Sequence, residues 1–132
     1  MSAGTSTSAE PEFSASLLPV TVEGTMTIEA EKAKVLFDRG VPFVDVRDPD
    51  EWSAGRVPGA VHLELNREFT EARLSEVAAK DHEVVIYAVT TWSTSARACM
   101  RAASWGFEKI YYFRAGFSGW KAAGHPVEMP SG

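Results

Sequence analysis

The chain has little of what disulfides, metal sites and membrane spans need. Its 132 residues include one cysteine and three histidines. A single cysteine excludes an internal disulfide and a cysteine-based metal cluster, and His62, His82 and His125 lack the spacing of metal ligands. No apolar run approaches the roughly 20 residues that a membrane-spanning helix needs. We therefore expect no metal, no other cofactor and no membrane association.

Positive charge is also scarce. Lysine and arginine number 13 against 18 aspartate and glutamate residues, which gives a net charge of -5. Nucleic-acid-binding domains usually carry a basic surface, so we expect no nucleic-acid partner. The N-terminus lacks the charged segment and following apolar segment of an export signal. Together with the single cysteine, this favours a cytoplasmic location.

Length and composition are typical of one globular domain. Hydrophobic residues make up 45% of the chain and charged residues 23%, as in ordinary soluble proteins. Residues 1–16 are rich in Ser, Thr and Ala and have no periodicity, which predicts a disordered tail. The predicted single domain covers residues 17–132. Residues 17–22 begin it, either as a short edge strand or as a packing segment.

Strand-like and helix-like patterns alternate along that domain. Apolar runs predict strands at residues 43–47, 61–63, 84–87 and 109–113. The first helix is predicted to begin after Thr27, as its N-cap, and to end at Gly40. Further helices are predicted at residues 51–54, 66–78, 96–104 and 117–124, with a turn at Ala115-Gly116. This alternation predicts an α/β fold in three layers, with a mainly parallel central sheet of about five strands and helices on both faces.

A loop rich in serine and threonine joins the strand at residues 84–87 to the helix at residues 96–104. A strand end that feeds a helix N-terminus presents free backbone N–H groups and the positive end of the helix dipole. We therefore predict an anion-binding cradle formed by Val89, Thr90, Thr91, Trp92, Ser93, Thr94 and Ser95. Ala88 stands at the strand end, where such folds place catalytic groups. Asp45, Arg47 and Arg114 lie at neighbouring strand ends and are predicted to support the loop.

Two separate stretches resemble the rhodanese-like (sulfurtransferase) family. The first stretch resembles the family's strand and the Gly-His-Ile-Pro-Gly-Ala segment that follows it, with Arg56 in place of the histidine. It comprises the strand at residues 43–47, Glu51-Trp52, the segment from Gly55 to Ala60, and Leu63. The second stretch comprises Ser95 to Ala98, Trp105 to Phe107, Ile110-Tyr111, Gly116-Phe117, Trp120 to Gly124 and Pro126-Val127. Together they cover residues 27–128 in the family's order, which implies the rhodanese-like fold.

The resemblance implies a sulfur-transfer chemistry whose key groups this chain lacks. In active members a cysteine directly follows the strand. Its thiolate attacks thiosulfate or a similar donor, becomes a persulfide and passes the sulfur to an acceptor. The matching position here is Ala88, and Thr94 occupies the place where many members carry an arginine. The loop length resembles that of the related dual-specificity phosphatases and arsenate reductases, which need both the cysteine and the arginine.

Two functions follow from these departures. We interpret the chain as a catalytically silent rhodanese-like domain that acts as a small-anion or protein binding module. Its ligand would be a small oxyanion or a sulfur donor such as thiosulfate, and a protein partner would dock on the Trp92 loop. The alternative is a thiosulfate sulfurtransferase whose nucleophilic cysteine has been replaced by Ala88. The absence of both the cysteine and the arginine favours the first, because one engineered change would not remove both.

The loop side chains have two interpretations each. Trp92 contacts a partner or ligand, or it folds inward and fills the pocket. The hydroxyl groups bind an anion together with the loop amides, or they serve local capping. In the capping interpretation, the N-cap of the following helix is one of Ser93, Thr94 and Ser95.

Residues outside the loop also have two interpretations each. Cys99 is a small buried core residue, or it is a relocated nucleophile. Asp45 and Arg47 form a structural ion pair, or they orient the loop. We expect Arg114 to be a solvated surface charge, the alternative being that it faces the mouth of the pocket.

Overall fold

The computed structural model describes residues 21–89 and 92–129, without the side chains of Trp92 and Ser93. The predicted tail at residues 1–16, most of the segment at residues 17–22, and Thr90 and Thr91 lie outside the described residues.

Five parallel strands form the sheet of the described residues. In chain order they are β1 (Thr25–Ile28), β2 (Phe43–Asp45), β3 (Val61–His62), β4 (Glu83–Tyr87) and β5 (Lys109–Phe113). They lie side by side in the order β1-β5-β4-β2-β3, and every neighbouring pair is parallel. At the carboxyl end of central β4, Tyr87 pairs with Asp45 on one side and Phe113 on the other. The predicted α/β fold with a mainly parallel sheet is confirmed.

Helices connect the strands and flank the sheet. They are α1 (Ala30–Asp38), α2 (Pro49–Ala54), α3 (Glu71–Val77), α4 (Trp92–Ser104) and α5 (Gly116–Ala122). Two of them have side-chain N-caps. The Asp48 carboxylate accepts a hydrogen bond of 2.9 Å from the Glu51 N–H at the start of α2. The Thr70 hydroxyl accepts one of 3.1 Å from the Arg73 N–H at the start of α3.

The prediction that Thr27 caps the first helix is wrong. Thr27 lies in β1, where it pairs with Tyr112 of β5, and the N-cap of α1 is Glu29, whose side chain makes no capping bond. Threonine and isoleucine favour strands. The pairing partner of β1 lies more than eighty residues away, so the local capping signal could not reveal it.

Two predicted helices begin elsewhere. Helix α3 begins at Glu71 because the preceding residues turn tightly, with the N–H groups of Glu68 and Phe69 both donating to the Glu64 carbonyl. Helix α4 begins at Trp92 rather than near Ala96. The prediction of an N-cap among residues 93–95 is therefore wrong, because these residues lie in the first turn of α4. The apolar pattern begins only at Ala96, because the first turn of α4 has polar residues. One of them, Thr94, lines a pocket, and another, Ser95, is buried.

The sheet has a hydrophobic core on each face, as its strand β4 illustrates. Val84 and Ile86 belong to one buried cluster, while Val85 and Tyr87 belong to the other, as the two-residue period of a strand requires. The first cluster contains residues of α3 and α4, and the second contains residues of α1 and α5. Trp120 is the largest fully buried side chain of the described residues. The predicted three layers are therefore present.

Two adjacent residues of α1 test this core assignment. Leu36 is fully buried, whereas Val35 is 50% exposed. Leu36→Ala leaves a cavity, so we expect it to lower the free energy of unfolding by about 2–5 kcal/mol. Val35→Ala is the control, with an expected change below about 0.5 kcal/mol. Urea unfolding followed by circular dichroism measures both, and equal losses would contradict the assignment.

Candidate functional site

A pocket of about 230 Å³ lies at the carboxyl ends of β2 and β4. Its lining comes from the segments that follow β2, β3 and β4 and from the start of α4. The lining residues are Val46, Arg47, Asp48, Glu51, Glu64, Leu65, Asn66, Ala88, Val89, Thr94 and Arg97. This is the edge at which parallel sheets bind ligands, and it includes the predicted loop.

The structure brings some of the predicted site residues to this pocket and leaves others outside it. Ala88, Val89, Thr94 and Arg47 line the pocket, whereas Asp45 and Ser95 are buried nearby and are not among the lining residues. The predictions for Thr90 and Thr91, and for the side chains of Trp92 and Ser93, lie outside what the structure describes.

Sequence reasoning missed seven lining residues, five of which are polar or charged. Asp48 and Glu51 belong to the start of α2, Glu64 and Asn66 follow β3, and Arg97 lies in the second turn of α4. One signal was available for Arg97, because it stands three residues after Thr94 and residues at this spacing share a helix face. The residues after β3 gave no such signal, since β3 has only two residues.

Ala88 occupies the position that the rhodanese-like resemblance assigns to the nucleophile. Its side chain is 2% exposed and belongs to the buried cluster that includes Ala96 and Cys99. A methyl group has no lone pair to attack an electrophile and no proton to exchange. The pocket is therefore formed without a nucleophile at this position.

The peptide groups that follow β4 are held by the N-terminus of α5. The Phe117 N–H donates to the Ala88 carbonyl over 2.8 Å, and the Ser118 N–H donates to the Val89 carbonyl over 3.4 Å. Helix α5 contributes no lining residue to the pocket. The carbonyl oxygens of Ala88 and Val89 are thus bonded to α5 and are not available to repel an anion from the pocket.

Gly116 permits this contact. Its φ of 62° lies in the left-handed region, and a β-carbon there would overlap the Val89 carbonyl oxygen and stand 2.5 Å from the Ala88 carbonyl oxygen. Gly116 is the first residue of α5 rather than part of a free turn. Only glycine allows the backbone of α5 to come this close to the loop.

A buried ion pair stands next to the loop at the end of β2. The Arg47 guanidinium contacts the Asp45 carboxylate at 2.7 Å, and the two side chains are 4% and 0% exposed. Arg47 also donates to the Gly55 carbonyl over 2.6 Å, and it lies 4.5 Å from the ring centre of Phe117. Asp45 therefore neutralises the charge of Arg47 and fixes its position, which supports the structural interpretation of this pair.

Burial changes the acidity of the tyrosines near this edge. Burial, followed by the charge of Asp45, raises the pKa of Tyr87, whose hydroxyl accepts a hydrogen bond of 3.1 Å from the Val57 N–H. Burial raises the pKa of Tyr112 as well, while hydrogen bonds with Ser95 and Arg114 oppose that shift. Both phenols stay protonated at neutral pH. Arg114 is half-buried rather than fully solvated, since it interacts with Tyr112, and it is not among the lining residues of the pocket.

Cys99 lies in the core and not in the pocket. It is fully buried in α4 among residues of the first cluster, and burial raises the pKa of its thiol well above the ordinary value. The thiolate, which is the reactive form, is therefore disfavoured. This geometry supports the core interpretation.

Neither a metal cluster nor a membrane-spanning helix occurs in the described part of the chain. Residues 21–89 and 92–129 contain no group of three or more His, Cys, Asp and Glu side chains placed to hold a metal ion. None of their helices combines the length and the apolar character needed to cross a bilayer.

The family assignment follows from comparison with known proteins. Residues 29–123 match the model of the rhodanese-like domain. The chain belongs to the rhodanese-like family. A sulfurtransferase from Allochromatium vinosum is 33% identical over 92 residues, which span 70% of this chain and 82% of that protein. The thiosulfate sulfurtransferase GlpE of Pseudomonas fluorescens is 30% identical over 105 residues, which span 80% of this chain and 92% of that protein.

The fold agrees with solved members of the family. The rhodanese-like domain of an Anabaena protein, determined by NMR in solution, superposes with a TM-score of 0.68 at 24% sequence identity, covering 80% of this chain and 85% of that one. The rhodanese-like fold that the two sequence stretches implied is therefore confirmed.

Two glycines at the ends of α5 test the contact with the loop. Gly116→Ala is expected to cost about 2 kcal/mol more of unfolding free energy than Gly124→Ala, because it also breaks two backbone hydrogen bonds worth about 1 kcal/mol each. Gly124 is the matched control, since it has a φ of 81° but no atom within 4 Å of the place that a β-carbon would take. Both variants share the backbone strain of a left-handed alanine, about 1–2 kcal/mol. Urea unfolding measures the difference, and amide NMR shifts of Ala88 and Val89 should change in the first variant only.

The burial of Cys99 predicts its reactivity. With a disulfide reagent at mildly alkaline pH, the native chain should react far more slowly than the chain unfolded in guanidinium chloride, because the buried thiol is protonated and inaccessible. The Ser104→Cys variant is the control, since Ser104 is exposed at the end of α4 and its added thiol should react in the native state. Equal labelling rates for the native and unfolded chain would contradict the core position of Cys99.

Proposed function

We propose that this rhodanese-like domain is catalytically silent and binds a small oxyanion in the pocket above Ala88. The observation that carries the proposal is the methyl group of Ala88, which lines a pocket at the start of α4, where the carbonyl groups of Ala88 and Val89 are bonded to α5. The domain would then act as a binding module rather than as a sulfur-transfer enzyme.

Persulfide chemistry at this position needs a group that alanine cannot supply. In sulfur transfer, a thiolate electron pair forms a bond to the outer sulfur of thiosulfate, and the bond to the inner sulfur breaks as sulfite leaves. Ala88 has no electron pair to donate. Cys99, the one cysteine of the chain, is buried and is not among the lining residues.

Anion binding needs only backbone N–H groups and positive charge, and the start of α4 offers both at the pocket. The 13-residue helix α4 begins at the pocket, and its first N–H groups lack partners within the helix and carry the positive end of its dipole. The carbonyl groups of Ala88 and Val89 are bonded to α5. Because similar proteins are named sulfurtransferases and thiosulfate sulfurtransferases, a sulfur oxyanion such as thiosulfate is the ligand class that we propose first.

A second candidate is a thiosulfate sulfurtransferase whose cysteine has been replaced. The backbone contacts at the start of the loop favour it, since Gly116 and the two hydrogen bonds from α5 hold the carbonyl groups of Ala88 and Val89, at the position where a thiolate would stand. A protein partner that docks on the segment around Trp92, and a cytoplasmic location, remain parts of the proposal that rest on the sequence.

Sulfur transfer from thiosulfate to cyanide separates the two candidates. We expect no activity in the chain as it stands, because position 88 has no thiolate. Ala88→Cys tests whether the cradle supports the chemistry, and Ala88→Ser is the matched control with a hydroxyl that is a far weaker nucleophile at neutral pH. Mass spectrometry of Ala88→Cys after thiosulfate treatment detects the added sulfur atom.

Each outcome of this assay has a definite meaning. Activity in Ala88→Cys alone would favour an enzyme that has lost its nucleophile, while inactivity in every variant would favour a rebuilt loop and a binding role. Activity in the unchanged chain would overturn the silent interpretation. Saturable amide NMR shifts around the pocket on thiosulfate titration are expected in the unchanged chain, and their absence would reject anion binding.

A further inference from the structure

Two arginines line the pocket, and they differ in what they contact. Arg47 is buried and is paired with Asp45. Arg97 is exposed, and within the described part of the chain no carboxylate lies within 4 Å of its guanidinium. Its five N–H donors are therefore available to a ligand.

Arg97 lies close to the N-terminus of α4, where we propose that the anion binds. Thr94 and Arg97 are three residues apart, which places them on one face of the helix, and both line the pocket. Thr94 occupies the position at which many members of the family carry an arginine. Arg97 lines the same pocket from the next turn of the helix.

We propose that Arg97 is the anion-binding side chain of this pocket. Its guanidinium donates two hydrogen bonds to the oxygens of a tetrahedral sulfur oxyanion, the geometry that a planar fork of donors favours. The inference rests on the proposed oxyanion binding and adds the residue that provides the ligand's counter-charge.

The carboxylates that line the pocket are not paired with Arg97. Asp48 caps α2 through the Glu51 N–H, and Glu64 stands 3.8 Å from Arg67. Glu51 is exposed at the rim. These three negative charges oppose a free dianion, so Arg97 is needed to offset them. Removal of a carboxylate near the anion should strengthen binding, whereas removal of Arg97 should weaken it.

Titration with thiosulfate at low and constant ionic strength tests the assignment. Isothermal calorimetry or amide NMR shifts give the dissociation constant. We expect Arg97→Gln to weaken binding about tenfold, as the loss of a hydrogen bond to a charged group implies, and Arg97→Lys to retain part of the affinity as a point charge. Glu64→Gln should strengthen binding severalfold.

Arg73→Gln is the matched control. Arg73 lies on α3, is half-exposed and is not among the lining residues, so its substitution changes the net charge of the chain by the same amount as Arg97→Gln. We expect its dissociation constant to stay within about twofold of the unchanged chain, since screened charges far from the ligand contribute little. Circular dichroism verifies that each variant is folded.

The results distinguish two failures. If the unchanged chain binds thiosulfate and Arg97→Gln binds it as well as Arg73→Gln does, the assignment of Arg97 is overturned while anion binding stands. If the unchanged chain does not bind thiosulfate, both the oxyanion proposal and the role of Arg97 are overturned. Equal weakening in Arg97→Gln and Arg73→Gln would point to a general charge effect and would also overturn the assignment.

Discussion

The close approach of helix α5 to the end of β4 is the contact on which the pocket depends. The N–H groups of Phe117 and Ser118 bind the carbonyls of Ala88 and Val89, and Gly116 makes room for this contact. A peptide group has a donor and an acceptor at opposite ends, so holding its carbonyl also limits where its N–H points. The carbonyl groups of Ala88 and Val89 are therefore held from outside the pocket, by a helix that contributes no lining residue.

The electrostatics of the pocket follow from a second constraint. Asp45 is completely buried, and a buried carboxylate is costly unless it is paired. Arg47 provides the pairing and is thereby removed from the charges that act on a ligand. The charges left in the pocket are the positive end of α4 and the exposed guanidinium of Arg97, set against the lining carboxylates of Asp48, Glu51 and Glu64. Because the carboxylates outnumber the guanidinium, an anion can bind only where it lies nearer to Arg97 and the start of α4 than to them.

Much of this arrangement is predictable from sequence, and the part that is not is non-local. Apolar runs and alternating patterns predict the parallel sheet and place the site at the end of β4. The local pattern assigns Thr27 to a helix cap because its strand partner, Tyr112, is distant in sequence. In the sequence Gly116 looks like an ordinary turn residue. Glycine is needed there because a β-carbon would overlap the Val89 carbonyl oxygen, and this contact cannot be read from the local sequence. Glu64 escapes prediction because only the fold brings the residues after β3 to the loop.

Binding and sulfur transfer place different demands on this pocket, and the structure separates them. Transfer needs a nucleophile, and the chain has Ala88 there, with its one cysteine buried in α4. Binding needs oriented peptide groups and a counter-charge, which depend on Gly116 and Arg97 and not on position 88. Gly116 is required by the close approach of α5 to Val89 whether or not a ligand binds, so a variant at Gly116 reports on the backbone alone. A variant at the exposed Arg97 leaves the backbone in place and reports on the counter-charge.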